Sequence, residues 1–331
     1  MAEKREKKLR ISVGYALLPN KVESFIRSSL FTYAKDHGID LILVDRHQSL
    51  LEQGPFDCLV HKFYDDEWNQ QLHEFNSAHP HVPIIDSPAA IRRLHNRVSM
   101  LEAVKKLTLS KSSDTAGIAG SAPTVGIPKQ ILLTAECREE RSGLKYPMIA
   151  KPMIANGTIK SHQMSLVLNS NGLEKVKHQA PVVLQEFVNH GGVLFKVYVA
   201  GNHVKCVHRK SLPDLHVTDH PIFKLEEDVL PFSQISNLPS IFDEEQEEQI
   251  TMPPLDFIQN LAAAIRKATE LNLFNFDLIR DTSDSDIGNK YLIIDINYLP
   301  GYAKLPGFEA MFTDFFWDVV QNNETVDQNL T

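Results

Sequence analysis

The chain of 331 residues contains no run of about 18 apolar residues, so no segment reads as a membrane-spanning helix. Its opening stretch, Met1-Ala-Glu-Lys-Arg-Glu-Lys-Lys-Leu-Arg10, lacks the apolar centre of a secretory signal, and export is not expected. Cysteine is scarce: Cys58, Cys137 and Cys206 are odd in number and too widely spaced for a zinc site, which suits reduced thiols. The expectation is a soluble monomer of the cytoplasm, with the nucleus as a second compartment and no membrane partner. An excess of positive charge is also missing. With 34 Lys and Arg against 42 Asp and Glu the net charge is −8, which argues against nucleic acid as a partner. The phosphate loop Gly-x-x-x-x-Gly-Lys-Ser/Thr, the Gly-x-Gly-x-x-Gly fingerprint and a His-Arg-Asp catalytic loop are all absent, which excludes the commonest nucleotide-binding signatures.

What is present is an α/β rhythm long enough for two or three subdomains. Strands are predicted at Ile11 to Leu17, Ile39 to Val44, Cys58 to His61 and Ile84-Ile85, with helices at Lys21 to His37 and Asp66 to Ala78. A small open sheet with helices on its faces follows. A helical pattern over Ala89 to Leu107 carries Arg92, Arg93 and Arg97, and the small-residue stretch Ser110 to Ala122 reads as a loop. Further strands fall at Tyr146 to Pro152, Met164 to Leu168, Val182 to Val188, Val193 to Val199 and Val204 to Val207. A long helix is expected from Leu255 to Leu271, and the last ten residues read as a frayed tail. The acidic run Asp243 to Glu248 reads as a solvated loop.

The most informative stretch is Tyr291-Leu-Ile-Ile-Asp-Ile-Asn-Tyr-Leu-Pro-Gly301. Residues two apart on a strand share a face at about 7 Å, so Asp295 and Asn297 project together. Leu273-Phe-Asn-Phe-Asp-Leu-Ile-Arg280 sets Asp277 opposite its apolar residues, and Asp281 to Lys290 can close a hairpin. Two carboxylates and an amide oxygen suit Mg²⁺, which takes further ligands from water and phosphates. An Asx turn is the competing reading.

Lys151 ends an apolar strand beside a Gly-Thr loop, and with Lys196 and the acidic hairpin it supplies the parts that hold a nucleoside triphosphate. The backbone of Gln185, Glu186, Phe187 and Val188, taken as a strand edge, can read an adenine. Against this, a lone lysine at a strand end is usually a surface residue. Lys196, Lys205, His208, Arg209 and Lys210 form a basic cluster fitted to a polyanion, with a solvated turn at His208 to Lys210 as the alternative. His162 sits in a Gly/Ser loop, the setting of a substrate contact, although a packed polar side chain is the commoner role for such a residue.

The ordered set resembles the ATP-grasp superfamily, and within it the inositol 1,3,4-trisphosphate 5/6-kinase family, also called inositol-tetrakisphosphate 1-kinases, in its plant-like form. The resemblance rests on Gly14-Tyr15-Ala16, Glu52-Gln-Gly-Pro-Phe56, His61-Lys62, Leu94 to Met100, Ala150-Lys-Pro152, Gly157-Thr158 with Ser161-His162, Gln185 to Gly192, Phe195 to Tyr198, Arg209-Lys-Ser211 and Asp295 to Tyr302. It implies an ATP-grasp fold with an N-terminal α/β open-sheet domain (1–98), a central subdomain (99–188), a C-terminal subdomain (189–320) and a flexible tail (321–331). It further implies ATP contacts at Arg97, Lys151, Gln185, Glu186, Phe187, Val188, Ser211 and Ser236, with Mg²⁺ on Asp277, Asp295 and Asn297. Inositol polyphosphate is expected at Lys21, Lys62, His162, Lys196, Asn297 and Gly301, a role that Arg209 and Lys210 suit by charge. Lys196 and His162 are the candidate catalytic groups. The implied reaction moves the ATP γ-phosphate to a hydroxyl of an inositol tris- or tetrakisphosphate, or to a phosphate of inositol hexakisphosphate. A carboxylate-amine ligase and a catalytically silent inositol-phosphate sensor are the rival readings.

Overall fold

The structure is a computed structural model that describes residues 10–105, 107, 122–134, 143–156, 158–215, 227–232, 250–283, 289–302 and 305–328. Its first sheet is parallel throughout. Strands β1 (Ile11–Ala16), β2 (Ile39–Leu43), β3 (Cys58–His61) and β4 (Ile84–Ile85) lie in the order β2-β1-β3-β4. Alternation along β3 buries Leu59 with Trp68, Leu72 and Phe75 of helix α3 (Asp66–Ala78), and Cys58 and Val60 on the opposite face. Both faces are therefore covered, as parallel sheets require. Asp65 caps α3 by accepting the Trp68 N–H at 3.0 Å, which fixes where that helix starts.

The expected single helix after β1 is two, α1 (Pro19–Phe25) and α2 (Ser28–Asp36), and the break lets Phe25 and Ile26 both enter the core. The next helical pattern also divides, into α4 (Pro88–Arg93) and α5 (Arg97–Lys105). Asn96 causes the break: its side chain accepts the Val98 N–H at 2.8 Å and so starts α5 afresh.

A central antiparallel sheet comprises β6 (Gln130–Leu133), β7 (Met148–Pro152), β8 (Ser165–Val167), β9 (Val182–Glu186) and β12 (Val229–Pro231), ordered β12-β8-β7-β9-β6. Helix α6 (Ser170–Lys177) covers one face through Leu173 and Val176. Gly172 is required there, because a Cβ would stand 2.2 Å from Asp228 O. The third sheet runs β11-β10-β13-β14-β5, built from β5 (Thr124–Gly126), β10 (Val193–Ala200), β11 (His203–Lys210), β13 (Leu273–Arg280) and β14 (Lys290–Tyr298). Helix α7 (Leu255–Thr269) buries Phe257, Ile258, Leu261, Ala262 and Ile265 at helical spacing. Two short strands cross the expected domain boundaries: β5 joins the third sheet and β12 the central one.

Helix α8 (Phe308–Gln328) enters the segment expected as a tail, whose last three residues, 329–331, lie outside the described residues. Phe312 on it packs 4.6 Å from both Phe25 and Tyr302, because this aromatic stripe covers the junction of the first and third sheets. That junction also carries buried polar contacts. Asp86 accepts the N–H groups of Asn272 at 2.8 Å and Leu273 at 3.0 Å, and the Tyr298 hydroxyl lies 2.8 Å from His61 O and 3.0 Å from Ile85 O. The Ser110 to Ala122 loop, but for its last residue, and the Asp243 to Glu248 run lie outside the described residues. Among the described residues no helix is long and apolar enough to cross a membrane.

Candidate active site

In the β13/β14 hairpin Asp277 stands directly opposite Asp295, and Asn275 opposite Asn297, so all four side chains share one face. The amides point at the carboxylates: Asn297 Nδ2 donates to Asp295 Oδ2 at 3.0 Å and Asn275 Nδ2 to Asp277 Oδ1 at 3.1 Å. A bulge between Asp277 and Leu278 leaves Ile294 as the extra residue. Its freed carbonyl accepts from Lys151 Nζ at 3.2 Å.

Each carboxylate has a cation. Lys196, opposite Asp277 in β10, lies 2.7 Å from its Oδ1, and Arg97 lies 2.9 Å from Asp295 Oδ1. Arg97, 6 % exposed, also donates to Pro152 O and Ser161 O. Burial pushes the Asp277 carboxyl up, Lys196 pulls it down, and Asp295 across the hairpin adds repulsion. Lys151 departs from its expected place at a strand mouth: it lies within β7, 6 % exposed, donating to Gln185 Oε1 at 2.7 Å. Burial pushes its ammonium down to about 8, against the pull of Asp295.

Arg97, Lys151, Asp277 and Asp295 face a cleft of about 130 Å³ between the central and third sheets, walled by Ile149, Met164, Phe187, Leu212, Ile279 and Ile294. Lys151, Gln185, Val188, His190 and Ser211 supply its polar lining. The expectation of a strand-edge reader over Gln185 to Val188 needs correction. Strand β9 is interior, flanked by β7 and β6, and the N–H groups of Glu186 and Phe187 are taken by Lys129 O and Pro147 O. Only Val188, past the end of the strand, stands clear of the ladder. Ser236 lies outside the described residues.

On the far side of Lys196 lies a second cavity of about 370 Å³, bounded by Lys21, Lys62, His95, Asn156, Asn275, Asn297 and Pro300. Lys62 directly follows β3 and Lys21 lies in α1, the helix that follows β1, so both stand beyond the carboxyl edge of the parallel sheet, the place where open α/β sheets gather ligands. Lys62 donates to Tyr298 O at 2.7 Å and Leu299 O at 2.9 Å, and Lys21 to Leu299 O at 3.3 Å. Leu299 is held at φ 37°, a strained conformation for a leucine, and its carbonyl meets both lysines. Burial lowers both ammoniums, Lys62 strongly, with Lys21 beside it adding to that fall.

The sequence of residues 119–318 matches the inositol 1,3,4-trisphosphate 5/6-kinase ATP-grasp domain, and residues 12–91 match the pre-ATP-grasp domain of the same family. Inositol-tetrakisphosphate 1-kinase 5 of Oryza sativa subsp. japonica is 49 % identical over 325 residues, covering 95 % of this chain and 92 % of its own. Inositol-tetrakisphosphate 1-kinase 1 of Arabidopsis thaliana is 48 % identical over 328 residues, covering 96 % and 98 %. The chain belongs to the inositol 1,3,4-trisphosphate 5/6-kinase family. It is an ATP-dependent inositol phosphate kinase on an ATP-grasp fold. Solved ATP-grasp structures resemble this kinase at low identity. They include a RiPP-associated ligase of Chryseobacterium gregarium (TM-score 0.56, 12 % identity, 95 % and 97 % coverage) and the VanG D-Ala:D-Ser ligase of Enterococcus faecalis (0.55, 13 %, 95 % and 100 %). They share its fold.

The kinase does not gather every residue that the sequence suggested. The basic cluster divides, because neighbours on a strand face opposite ways. Arg209 and Lys205 take the face of Lys196, whereas Lys210, opposite Val193, and His208, opposite Phe195, take the other. Lys205 is held by Pro306 O and Gly307 O, both at 3.0 Å, and Arg209 lines neither cavity. Gly301 is exposed beside Pro300 at the cavity lip, and His162 falls in a short 3₁₀ turn after Thr158. Asn275, His95 and Asn156 of this kinase had been given no role from sequence. Asn275 was legible, since it alternates with Phe274 and Phe276 two positions before Asp277.

Proposed function

We propose that this kinase binds ATP with Mg²⁺ in the cleft between the central and third sheets and a phosphorylated inositol in the Lys21/Lys62 cavity. The γ-phosphate then passes between them at Lys196. The observation that carries this reading is the position of Lys196: it lines the second cavity while pairing at 2.7 Å with Asp277, which lines the first.

The donor set fits a hard divalent cation, because two opposed carboxylates, one of them with its carboxyl pushed up by burial, invite positive charge between them. Asp277, Asp295 and Asn297 would hold Mg²⁺, the Asn297 amide presenting its oxygen in place of the N–H it now turns to Asp295. The ion would supply charge neutralisation on the triphosphate. Lys151, held by Gln185, and Arg97 bind donor phosphates, Val188 with Ser211 and Ser236 holds the nucleoside, and the apolar walls, Phe187 among them, flank the base. Lys21 and Lys62 anchor acceptor phosphates with His162, Asn297 and Gly301. Lys196 stabilises the phosphoryl group in flight, and His162 orients the attacking hydroxyl. The bond from the γ-phosphorus to the ADP oxygen breaks, a bond to the acceptor oxygen forms, and the hydroxyl proton passes to solvent. Positioning and charge carry such a transfer, so no strong base is required. Inositol tris- and tetrakisphosphates are the hydroxyl acceptors, and inositol hexakisphosphate accepts on a phosphate to give a pyrophosphate. Among rival readings, the ligase requires an amine and carboxylate site where this cavity places lysines, and a silent sensor needs no paired carboxylates.

Chromatographic product analysis across a panel of inositol phosphates with Mg-ATP tests the proposal. A more phosphorylated inositol formed in step with ADP is expected. ADP release that depends on a carboxylate and an amine would favour the ligase, and binding without product the sensor.

A further inference from the structure

Outside the roles given so far, His190 bridges two elements of the nucleotide cleft. Its Nδ1 lies 2.7 Å from Val188 O and its Nε2 lies 2.8 Å from Ser211 Oγ, and the residue is 6 % exposed. Burial lowers the imidazole pKa, so the ring is neutral near pH 7 and carries one N–H. A carbonyl oxygen only accepts. The proton must therefore sit on Nδ1, which leaves a lone pair on Nε2, and the Ser211 hydroxyl must spend its single proton there. Towards the cleft Ser211 then offers lone pairs alone.

The surrounding loop holds this arrangement. Asp214 Oδ1 accepts the N–H groups of His190 at 2.7 Å and Gly191 at 2.8 Å, and Ser211 N–H donates to Gly192 O at 2.8 Å. We infer that Ser211 reads a hydrogen-bond donor of the nucleoside, and that His190 is the positioning residue that sets this polarity. The group it reads is an N–H or O–H, either the exocyclic amine of the base or a ribose hydroxyl. This rests on the proposal that the cleft holds ATP. A ligand group that only accepts would face lone pairs there, and such an unmatched contact costs affinity.

The test compares calorimetric affinities of the wild-type protein for ATP, 2′-deoxy-ATP, 3′-deoxy-ATP and purine riboside triphosphate, which delete the candidate donors one at a time. One analogue should bind about tenfold or more weakly. Where the lost donor is a ribose hydroxyl, an amino group in its place should restore binding and a fluorine should not. Ser211→Ala should bring ATP and that analogue within about twofold, and His190→Phe, which frees the hydroxyl to rotate, should shrink the amino-over-fluoro preference. A ¹⁵N spectrum of the wild-type protein gives an answer independent of any variant's folding: a protonated Nδ1 and a bare Nε2 on His190 are expected. The opposite tautomer, equal binding of all analogues, or discrimination that survives Ser211→Ala overturns the inference. If those results accompany a loss of ATP affinity in Lys151→Ala, the nucleotide site stands without it. Full ATP affinity in Lys151→Ala overturns the site and the inference together.

Discussion

Around the nucleotide cleft the cations already have partners: Arg97 sits 2.9 Å from Asp295, Lys151 2.7 Å from the Gln185 amide, and Lys196, on the border with the second cavity, 2.7 Å from Asp277. In the acceptor cavity Lys21 and Lys62 rest on the backbone carbonyls of Tyr298 and Leu299. A carbonyl carries only partial charge, so two adjacent ammoniums there remain under-compensated, and burial drives Lys62 well down. The first cavity is preorganised by its own ion pairs. The second holds uncompensated positive potential that a polyphosphate would satisfy, which is how a protein of net charge −8 can recognise a dense anion.

Removing a carboxylate from the preorganised side should have the largest effect. Asp277→Asn keeps shape and loses charge, and kcat should fall about 10³-fold or more, the scale of several kcal/mol of transition-state stabilisation. Steady-state assay with Mg-ATP measures it, and near wild-type kcat would contradict the assignment. Asp295→Ala reaches further, into stability. It leaves the buried Arg97 guanidinium without its carboxylate, a loss on the order of 3 kcal/mol readable by urea unfolding.

The pH profile should separate the two sides next. Lys151 holds phosphate only while protonated, so kcat/KM for ATP should fall as pH rises through about 8, by up to tenfold per unit. Its folded value lies below the unfolded 10.5, so the unfolded chain binds more protons between those values. The stability of the ligand-free protein should therefore rise across that window as far as this group is concerned. A flat profile in both assays would remove Lys151 from the site. The smallest change is at the domain junction. Tyr298→Phe strands the Asp86 N–H, which donates to the Tyr298 hydroxyl at 3.2 Å, and should cost about 1–2 kcal/mol in a thermal melt with ATP affinity unchanged. A melt that does not move would show that the Tyr298 hydroxyl adds nothing to the junction.

The same contrast explains what sequence could reveal. Strand β3, helix α3 and strand β4 were legible to the residue because local signals set them: short apolar runs, and Asp65 three residues before Trp68. The face shared by Asp295 and Asn297 was legible because strand geometry has a period of two. The burial of Lys151 was not, since its Gln185 partner lies 34 residues away on a strand whose pairing no local pattern declares. The Ile294 bulge, which aims a carbonyl at Lys151, leaves no mark in an otherwise regular apolar run. The basic cluster failed for the opposite reason: adjacency in sequence looked like convergence, and strand alternation sent Lys210 away from Lys196. Helix α8 escaped because its end carries polar residues, while the Phe312, Phe315 and Phe316 stripe lies earlier in the helix.

The division of labour between the cavities is tested most directly by titrating Lys62→Met with inositol hexakisphosphate and, separately, with Mg-ATP in a calorimeter. The affinity for inositol hexakisphosphate should fall about tenfold or more, the scale of a desolvated charge-assisted contact, while that for ATP stays within about twofold of wild type. A parallel loss of both ligands, or unchanged binding of the inositol phosphate, would contradict the assignment of the second cavity to the acceptor.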